Sequence, residues 1–261
     1  MATALIGGLL AKGFDAGSIS VIEMLAAARE RLAARYDVHA SAASDEATGA
    51  ADTLVLAVKP QDMRAALAGL RDTVRGKLVI SIAAGVRLAD LSRWLGGHRR
   101  LVRSMPNAPA LIGAGIAALY APPEVGAEER ARAESILGAV GATVWVGEEE
   151  LLDPVTALSG SGPAYVFWFI EQLAASGIAL GIPAEIARQL ALETVSGAAQ
   201  LAARSGEPAA VLRERVTSKG GTTEAALRVF DEERLAERLR RALAAASRRG
   251  AELGEQLGRE T

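Results

Sequence analysis

The sequence has 261 residues, half of them hydrophobic, with 29 basic and 31 acidic side chains and a formal net charge of −2. A chain of this length can bury a sizeable core and fits one large domain or two small ones. The balanced charge argues against a nucleic-acid partner, because a protein that binds a phosphate backbone needs a basic surface.

The absence of cysteine excludes disulfides and thiolate chemistry and fits a cytoplasmic protein. The two histidines, His39 and His98, lie far apart in the sequence, so we predict no metal site. The first ten residues lack the basic flank and cleavage site of a secretory signal. The most apolar run, residues 164–170, is too short to span a bilayer, and we expect no membrane partner.

The first half of the chain alternates apolar runs with amphipathic helical patterns. The runs predict strands at 19–22, 38–40, 53–58, 78–82, 101–104, 116–120 and 143–146. The helical patterns fall at 2–12, 25–35, 61–72, 87–95 and 126–139. Repeated strand–helix alternation predicts an open, mostly parallel α/β sheet with helices on both faces.

Helical periodicity dominates from about residue 148 onward, and no convincing strand follows. The predicted helices are 149–158, 163–180, 184–204, 208–216, 223–231 and 233–257. The sequence therefore predicts an α/β domain at 1–147 and an all-helical domain at 148–261.

The carboxyl ends of parallel strands are where an α/β sheet of this type binds nucleotides. Ala83 and Ala84 are small enough for a ring or ribose to lie against the backbone. Lys59 offers a charge to phosphate or ribose, although a lysine after a strand is usually only solvated. Asn107 suits a carboxamide or a ribose hydroxyl, and its alternative is a turn residue between two prolines.

Residues 216–226 place two adjacent glycines between hydroxyl side chains, directly before a run of good helix formers. Glycines let backbone N–H groups converge, and a helix start adds partial positive charge. Such a loop can receive a carboxylate or phosphate, with Thr222 and Thr223 adding hydroxyls. The alternative is an ordinary helix cap after a glycine turn.

Three motifs in order, RSMPNAPA at 103–110, ALSGSGPAY at 157–165 and VTSKGGTT at 216–223, resemble the pyrroline-5-carboxylate reductase family. The strand ends at 58–60 and 83–85 match as well, and the resemblance runs from residue 1 to about 245. It implies a Rossmann-like domain followed by a helical dimerisation domain. It also implies reduction of the cyclic imine 1-pyrroline-5-carboxylate to L-proline with NADPH or NADH, by a homodimer or larger homo-oligomer.

The resemblance assigns roles to residues of this chain. Thr223 would hydrogen-bond the ring nitrogen and is the catalytic candidate. Backbone N–H groups of a second set would bind the substrate carboxylate: Ser218, Gly220, Gly221 and Thr222. A third set would line the cofactor, with Ser44 and Glu149 as weaker members: Ser44, Ala57, Val58, Lys59, Pro60, Ile82, Ala83, Ala84 and Glu149. Asn107 joins this set from its place after a strand, and residues 159–163 would shape the wall near the nicotinamide.

Two positions depart from the family pattern. Members open with a strand and a glycine-rich turn that this chain lacks, which implies a misplaced start or a truncation. We therefore expect an exposed sheet edge and weak cofactor binding, and Gly7-Gly8 belongs to the first helix rather than to that turn. Lys219 replaces the proline of many relatives.

Two alternatives to an active reductase follow from these departures and from the two-domain plan. One is a cofactor-deficient oligomeric protein with little turnover. The other is a relative of the 3-hydroxyacid dehydrogenases, which use a lysine of the helical domain, and Lys219 is the only lysine after Lys77. For the cofactor itself, Glu23 could accept from a ribose 2′-hydroxyl and favour NADH, whereas Arg29 lies far along the following helix.

Overall fold

The computed structural model describes residues 1–259. These residues form two compact units, one comprising Met1–Ser161 together with the chain from Ala244 on, and the other comprising Gly162–Leu243. The predicted domain boundary at residue 148 stays a prediction. The compact units themselves divide the chain after Ser161, and the segment from Ala244 on belongs to the first unit. Glu260 and Thr261, the last residues of the predicted helical domain, lie outside the described residues.

The first unit contains all the strands of the described chain and seven helices. The strands are β1 (Ser20–Ile22), β2 (His39–Ser41), β3 (Thr53–Leu56), β4 (Leu78–Ser81), β5 (Leu101–Met105), β6 (Gly115–Tyr120) and β7 (Gly141–Trp145). The helices are α1 (Ala2–Ala11), α2 (Ala26–Tyr36), α3 (Glu46–Ala50), α4 (Met63–Leu67), α5 (Leu88–Trp94), α6 (Ala127–Leu137) and α7 (Leu152–Val155).

Strands β3 to β7 form one sheet in chain order, and β1 and β2 form a separate parallel pair. The neighbours β3, β4 and β5 run parallel, β6 is antiparallel to β5, and β7 is parallel to β6. The sheet is therefore mostly parallel, as expected. Strand β3 pairs only with β4 among the described residues, so one of its edges is free of backbone partners.

Strand β4 shows why the apolar runs fold as buried strands. All four of its residues are buried, and successive side chains point to opposite faces of the sheet. Leu78 and Ile80 belong to the core cluster that contains Leu5 of α1. Val79 belongs to the second cluster, which contains Leu91 of α5. Helices thus cover both faces, as the strand–helix alternation predicts.

The structure corrects several element bounds in this unit. No helix is predicted over α3, which is only five residues long and is held by a capping box between Asp45 and Thr48. The helix predicted at 61–72 is a 3₁₀ turn, Pro60–Asp62, followed by the short α4. The helix predicted at 149–158 is a 3₁₀ turn, then α7, then a π-helical turn at Thr156–Gly160.

The second unit is helical throughout. Its helices are α8 (Gly162–Ala179), α9 (Ala184–Ser205), α10 (Ala209–Arg215) and α11 (Thr222–Glu232). A final helix, α12 (Leu235–Arg259), begins in this unit and ends in the first. Within the first unit, a glycine lets α12 pack closely on the turn after β4: a Cβ at Gly254 would lie 2.9 Å from the Gly85 carbonyl oxygen.

Candidate active site

Two predicted cofactor segments leave the sheet side by side. Leu56 at the end of β3 pairs with Ser81 at the end of β4, so the segments that follow these residues start at the same edge. Ala57, Val58, Lys59 and Pro60 follow β3, with Lys59 exposed, and Ile82, Ala83 and Ala84 follow β4. The structure therefore brings these seven residues to one sheet edge.

Gly85 gives the turn after β4 its shape. Its φ of +78° is a conformation that residues with a Cβ rarely adopt. Ala83 just before it is buried, and its N–H donates to the Ser81 hydroxyl at 3.3 Å. Ala84 is exposed at this strand end, whereas Gly85 is buried against Gly254 and Leu257 of α12.

Ser104 adds an unsatisfied polar group at the same level of the sheet. It is 1% exposed, and its Oγ has no hydrogen-bond partner in the described part of the chain. Because Ser81 pairs with Arg103, Ser104 lies level with Ile82, one step beyond that pair. A buried hydroxyl without a partner fits a site that receives a polar ligand, and the sequence reading had not singled out Ser104.

Asn107 uses its side-chain amide within the protein. Its Nδ2 donates to the Ser159 carbonyl oxygen at 3.1 Å, and its Oδ1 accepts from the Ile116 N–H at 3.0 Å. These bonds tie the end of β5 to the start of β6 and to the π-helical turn. The structure thus gives Asn107 the turn role that the sequence left as an alternative. One N–H and one lone pair remain for a ligand, so its cofactor role stays a prediction.

Glu149 takes part in a buried charge cluster. Its Oε1 accepts from the Leu88 N–H at the start of α5 at 2.8 Å and lies 3.0 Å from Nη1 of Arg103. The Arg103 side chain is only 4% exposed and also lies 3.5 Å from Asp153. This cluster joins β5, α5 and the segment before α8. A buried arginine is rare without an acidic partner, so the position of Arg103 inside an apolar strand is the sequence signal that indicates such a charge cluster.

Ser44 lies apart from these strand ends, in the loop before α3. Its hydroxyl lies 3.2 Å from the Thr48 hydroxyl and 3.1 Å from the Thr73 hydroxyl. The neighbouring Asp45 accepts from the Thr48 N–H and lies 2.6 Å from His39, and these contacts lower the pKa of Asp45 far below its usual value. The Ser44 hydroxyl thus has partners within the protein, and its cofactor role stays a prediction.

The glycine loop of the second unit has the conformation that its sequence predicts. Gly220 has a φ of +73°, and the Gly221 N–H closes a turn onto the Ser218 carbonyl oxygen at 2.9 Å. Helix α11 begins at the next residue, Thr222, with Gly221 as its N-cap. The Gly221 N–H, which the resemblance assigns to the substrate carboxylate, is thus already used within the turn. The first N–H groups of a helix have no partner inside it, so the free donors lie at the start of α11, at the positive end of the helix dipole.

The two threonines of the loop differ in exposure. Thr222 is exposed, whereas Thr223 is half-buried in the first turn of α11. Gly220 donates its N–H to a carboxylate oxygen of Glu224 at 2.6 Å, a contact that the sequence reading did not foresee. The loop already holds a carboxylate of the protein itself.

Other site types receive no support from the described residues. Within residues 1–259 no group of three or more His, Asp or Glu side chains is placed to hold a metal ion. No helix in this part of the chain is long and apolar enough to cross a membrane.

The fold and the strand-end site define a class. A Rossmann-like α/β unit with small residues at its strand ends, joined to a helical unit, is the architecture of two-domain nicotinamide-dependent oxidoreductases.

Comparisons with known proteins narrow this class. Residues 149–253 match the family description "Pyrroline-5-carboxylate reductase dimerisation", and residues 1–85 match "NADP oxidoreductase coenzyme F420-dependent". A pyrroline-5-carboxylate reductase of Pseudomonas aeruginosa is 44% identical over 99% of this chain and 95% of its own length. One from Synechocystis is 41% identical over 98% of this chain and 96% of its own length.

Solved structures agree with the sequence matches. The pyrroline-5-carboxylate reductase of Coxiella burnetii superposes with a TM-score of 0.92 at 38% identity, covering 97% of this chain and 94% of that one. The Plasmodium falciparum enzyme, solved with NADP bound, gives 0.82 at 25% identity with the same coverage. The chain belongs to the pyrroline-5-carboxylate reductase family, and the predicted Rossmann-like domain followed by a helical dimerisation domain is confirmed.

Proposed function

We propose that this protein reduces 1-pyrroline-5-carboxylate to L-proline, with NADPH or NADH as the hydride donor. The observation that carries the proposal is 44% identity to a pyrroline-5-carboxylate reductase over nearly the whole of both chains. The extent of this match favours the reductase over a cofactor-deficient oligomer and over a hydroxyacid dehydrogenase. The Plasmodium relative with NADP bound supports the choice of cofactor.

The substrate is held through its carboxylate and its ring nitrogen. The carboxylate accepts from backbone N–H groups of the loop from Ser218 to Thr222, where the turn at Gly220 and the start of α11 supply donors and positive potential. Thr223 hydrogen-bonds the ring nitrogen. Two anchors on a small ring fix the direction in which its C=N carbon faces, and orientation is the main requirement of hydride transfer.

The chemistry places few other demands on side chains. A protonated imine is already electrophilic, so the protein needs to hold it rather than to activate it with a strong acid or base. The dinucleotide, when bound, supplies the hydride. The residues that would hold it are those at the ends of β3 and β4, with the free Ser104 hydroxyl beside them.

The protein forms a homo-oligomer, since its helical unit matches a dimerisation family. We propose a homodimer assembled through exposed apolar side chains of α8 and α9. Those most exposed are Phe167, Trp168, Ile186, Leu190, Leu192 and Leu201. Burying such a surface against a second copy removes apolar area from water. We also propose that the protein is cytoplasmic and that it binds neither nucleic acid nor a membrane.

A spectrophotometric assay tests the activity directly. Addition of 1-pyrroline-5-carboxylate to the protein and NADPH or NADH should oxidise the dinucleotide, with L-proline identified as the product by chiral chromatography. The matched control is 1-pyrroline, which keeps the C=N bond and lacks the carboxylate, and its kcat/KM should be far lower. A folded protein that oxidises neither dinucleotide with pyrroline-5-carboxylate would refute the proposal.

A further inference from the structure

The carboxylate-binding loop already contains a carboxylate in this structure. The Gly220 N–H donates to Oε2 of Glu224 at 2.6 Å, and the bond is exposed to solvent. Glu224 belongs to the first turn of α11, so its charge also lies at the positive end of that helix. One of the donors assigned to the substrate is therefore paired with the protein's own side chain.

This bond is more than the usual cap of a helix. A glutamate at the third helical position ordinarily accepts from the N-cap residue, here Gly221. The Gly221 N–H instead donates to the Ser218 carbonyl oxygen at 2.9 Å, and Glu224 reaches one residue further back. It thus binds Gly220, the residue whose φ of +73° turns the loop. The side chain occupies the bend of the loop.

A substrate carboxylate that binds the same loop meets this charge. Two carboxylates that share a few N–H donors repel each other, so substrate binding requires Glu224 to give up the Gly220 N–H or to tolerate a like charge beside it. The bond is exposed, so the Glu224 side chain can rotate into water when it is displaced.

We propose that Glu224 is an internal competitor for the substrate carboxylate and sets the affinity of the loop for anionic substrates. This inference rests on the proposed function, because it concerns the same loop. The competition ends once the substrate is bound, so it raises KM and leaves kcat unchanged. By the same argument, Glu224 weakens the binding of every small carboxylate at this loop, the product included.

The test compares Glu224→Gln with the native protein. Glutamine keeps an oxygen that can accept from Gly220 and removes the charge, so the fold of the loop is preserved while the repulsion is lost. We expect KM for pyrroline-5-carboxylate to fall roughly two- to tenfold, as for the loss of one exposed charge interaction, with kcat unchanged. Glu232→Gln, an equal charge change at the other end of α11, should leave KM unaltered.

A binding measurement separates this inference from the proposed function. Cyclopentanecarboxylate presents a ring carboxylate without a reactive C=N bond, and its Kd by calorimetry should fall in Glu224→Gln by a similar factor. The Kd of neutral cyclopentanecarboxamide should not change. An unchanged or raised KM and Kd for the anions in Glu224→Gln would overturn the role of Glu224, even in an active enzyme. A native protein that binds the carboxylate but reduces no imine would instead refute the proposed reaction alone.

Discussion

Thr223 is half-buried in the first turn of α11, beside the loop that the resemblance assigns to the substrate. Thr223→Ala removes the hydroxyl that we propose hydrogen-bonds the ring nitrogen. We expect kcat/KM for pyrroline-5-carboxylate to fall by roughly one to two orders of magnitude. Steady-state kinetics on the purified variant measure this change.

Two neighbouring variants serve as controls for Thr223. Thr223→Ser keeps the hydroxyl and should retain most of the activity. Thr222→Ala removes an exposed hydroxyl from the same turn while keeping the backbone N–H, so its effect should be smaller than that of Thr223→Ala. Unchanged kinetics in a folded Thr223→Ala protein would remove the threonine from the mechanism.

Glu23 is predicted to influence the preference between NADH and NADPH. It follows β1, and its Oε1 accepts from the Leu25 N–H at 2.9 Å, which leaves the other oxygen open to a ribose 2′-hydroxyl. A 2′-phosphate there would meet a negative charge. Glu23→Ser should therefore raise the ratio of kcat/KM for NADPH to that for NADH by about tenfold. Glu30→Gln, an exposed acid on α2, is the matched control for net charge.

Arg29 contacts the turn that carries Glu23. The sequence places Arg29 far along the following helix and predicts no contact with a 2′-phosphate, and nothing in the structure tests that expectation. In the structure its Nη1 donates to the carbonyl oxygens of Glu23 and Met24, both at 2.8 Å, so a long side chain folds back over the first turn of α2. The guanidinium stiffens the very turn that carries Glu23. A Glu23→Ser protein with an unchanged cofactor ratio would show that this turn does not read the ribose.

At the scale of the element, α12 offers a matched pair of glycines. A Cβ at Gly254 would lie 2.9 Å from the Gly85 carbonyl oxygen, whereas at Gly250 its closest neighbour is 3.9 Å away. Gly254→Ala should lower the free energy of unfolding by about 1–3 kcal/mol, because backbone has to move to admit the methyl group. Gly250→Ala should raise it by up to about 1 kcal/mol, since alanine favours the helix. Urea unfolding followed by circular dichroism measures both, and equal values for the two variants would contradict this close packing.

The buried strands could be predicted because a strand that is buried on both faces consists of consecutive apolar residues. The run Leu78, Val79, Ile80 is apolar on both faces, and the structure buries both faces. Short elements held by single polar contacts could not be predicted in this way. Helix α3 depends on the capping box of Asp45 and Thr48, and it shows no apolar period over five residues.

In the candidate site, too, local features could be predicted from the sequence and contacts between distant residues could not. Backbone features such as the turn at Gly220 could be read from glycine and the helix that follows, because they depend on local chemistry. The charge cluster of Arg103 and Glu149 could not, because its members lie 46 residues apart and meet only in the folded chain. The contact of Glu224 with Gly220 is local, but its direction depends on which N–H groups the turn has already used.

At the scale of the whole molecule, α8 carries two adjacent large side chains in water. Phe167 is 65% exposed and Trp168 is 58% exposed. Phe167→Lys should shift the protein from dimer to monomer in sedimentation velocity, because a buried lysine at the interface lacks a partner. Met24→Lys, at an exposed apolar residue of the first unit, is the control and should leave the mass unchanged. A Phe167→Lys protein that stays dimeric would place the interface elsewhere.

The return of α12 to the first unit has a consequence for synthesis. Leu257 packs against the core cluster beneath Gly85, and Nη2 of Arg93 donates to the Gly258 carbonyl oxygen at 2.9 Å. Domains generally fold as they leave the ribosome, first part first. Because the first unit includes the chain from Ala244 on, its core receives Leu257 only after most of α12 has been translated. Premature termination within α12 therefore leaves the first unit without this contact, although all its described strands have already been made.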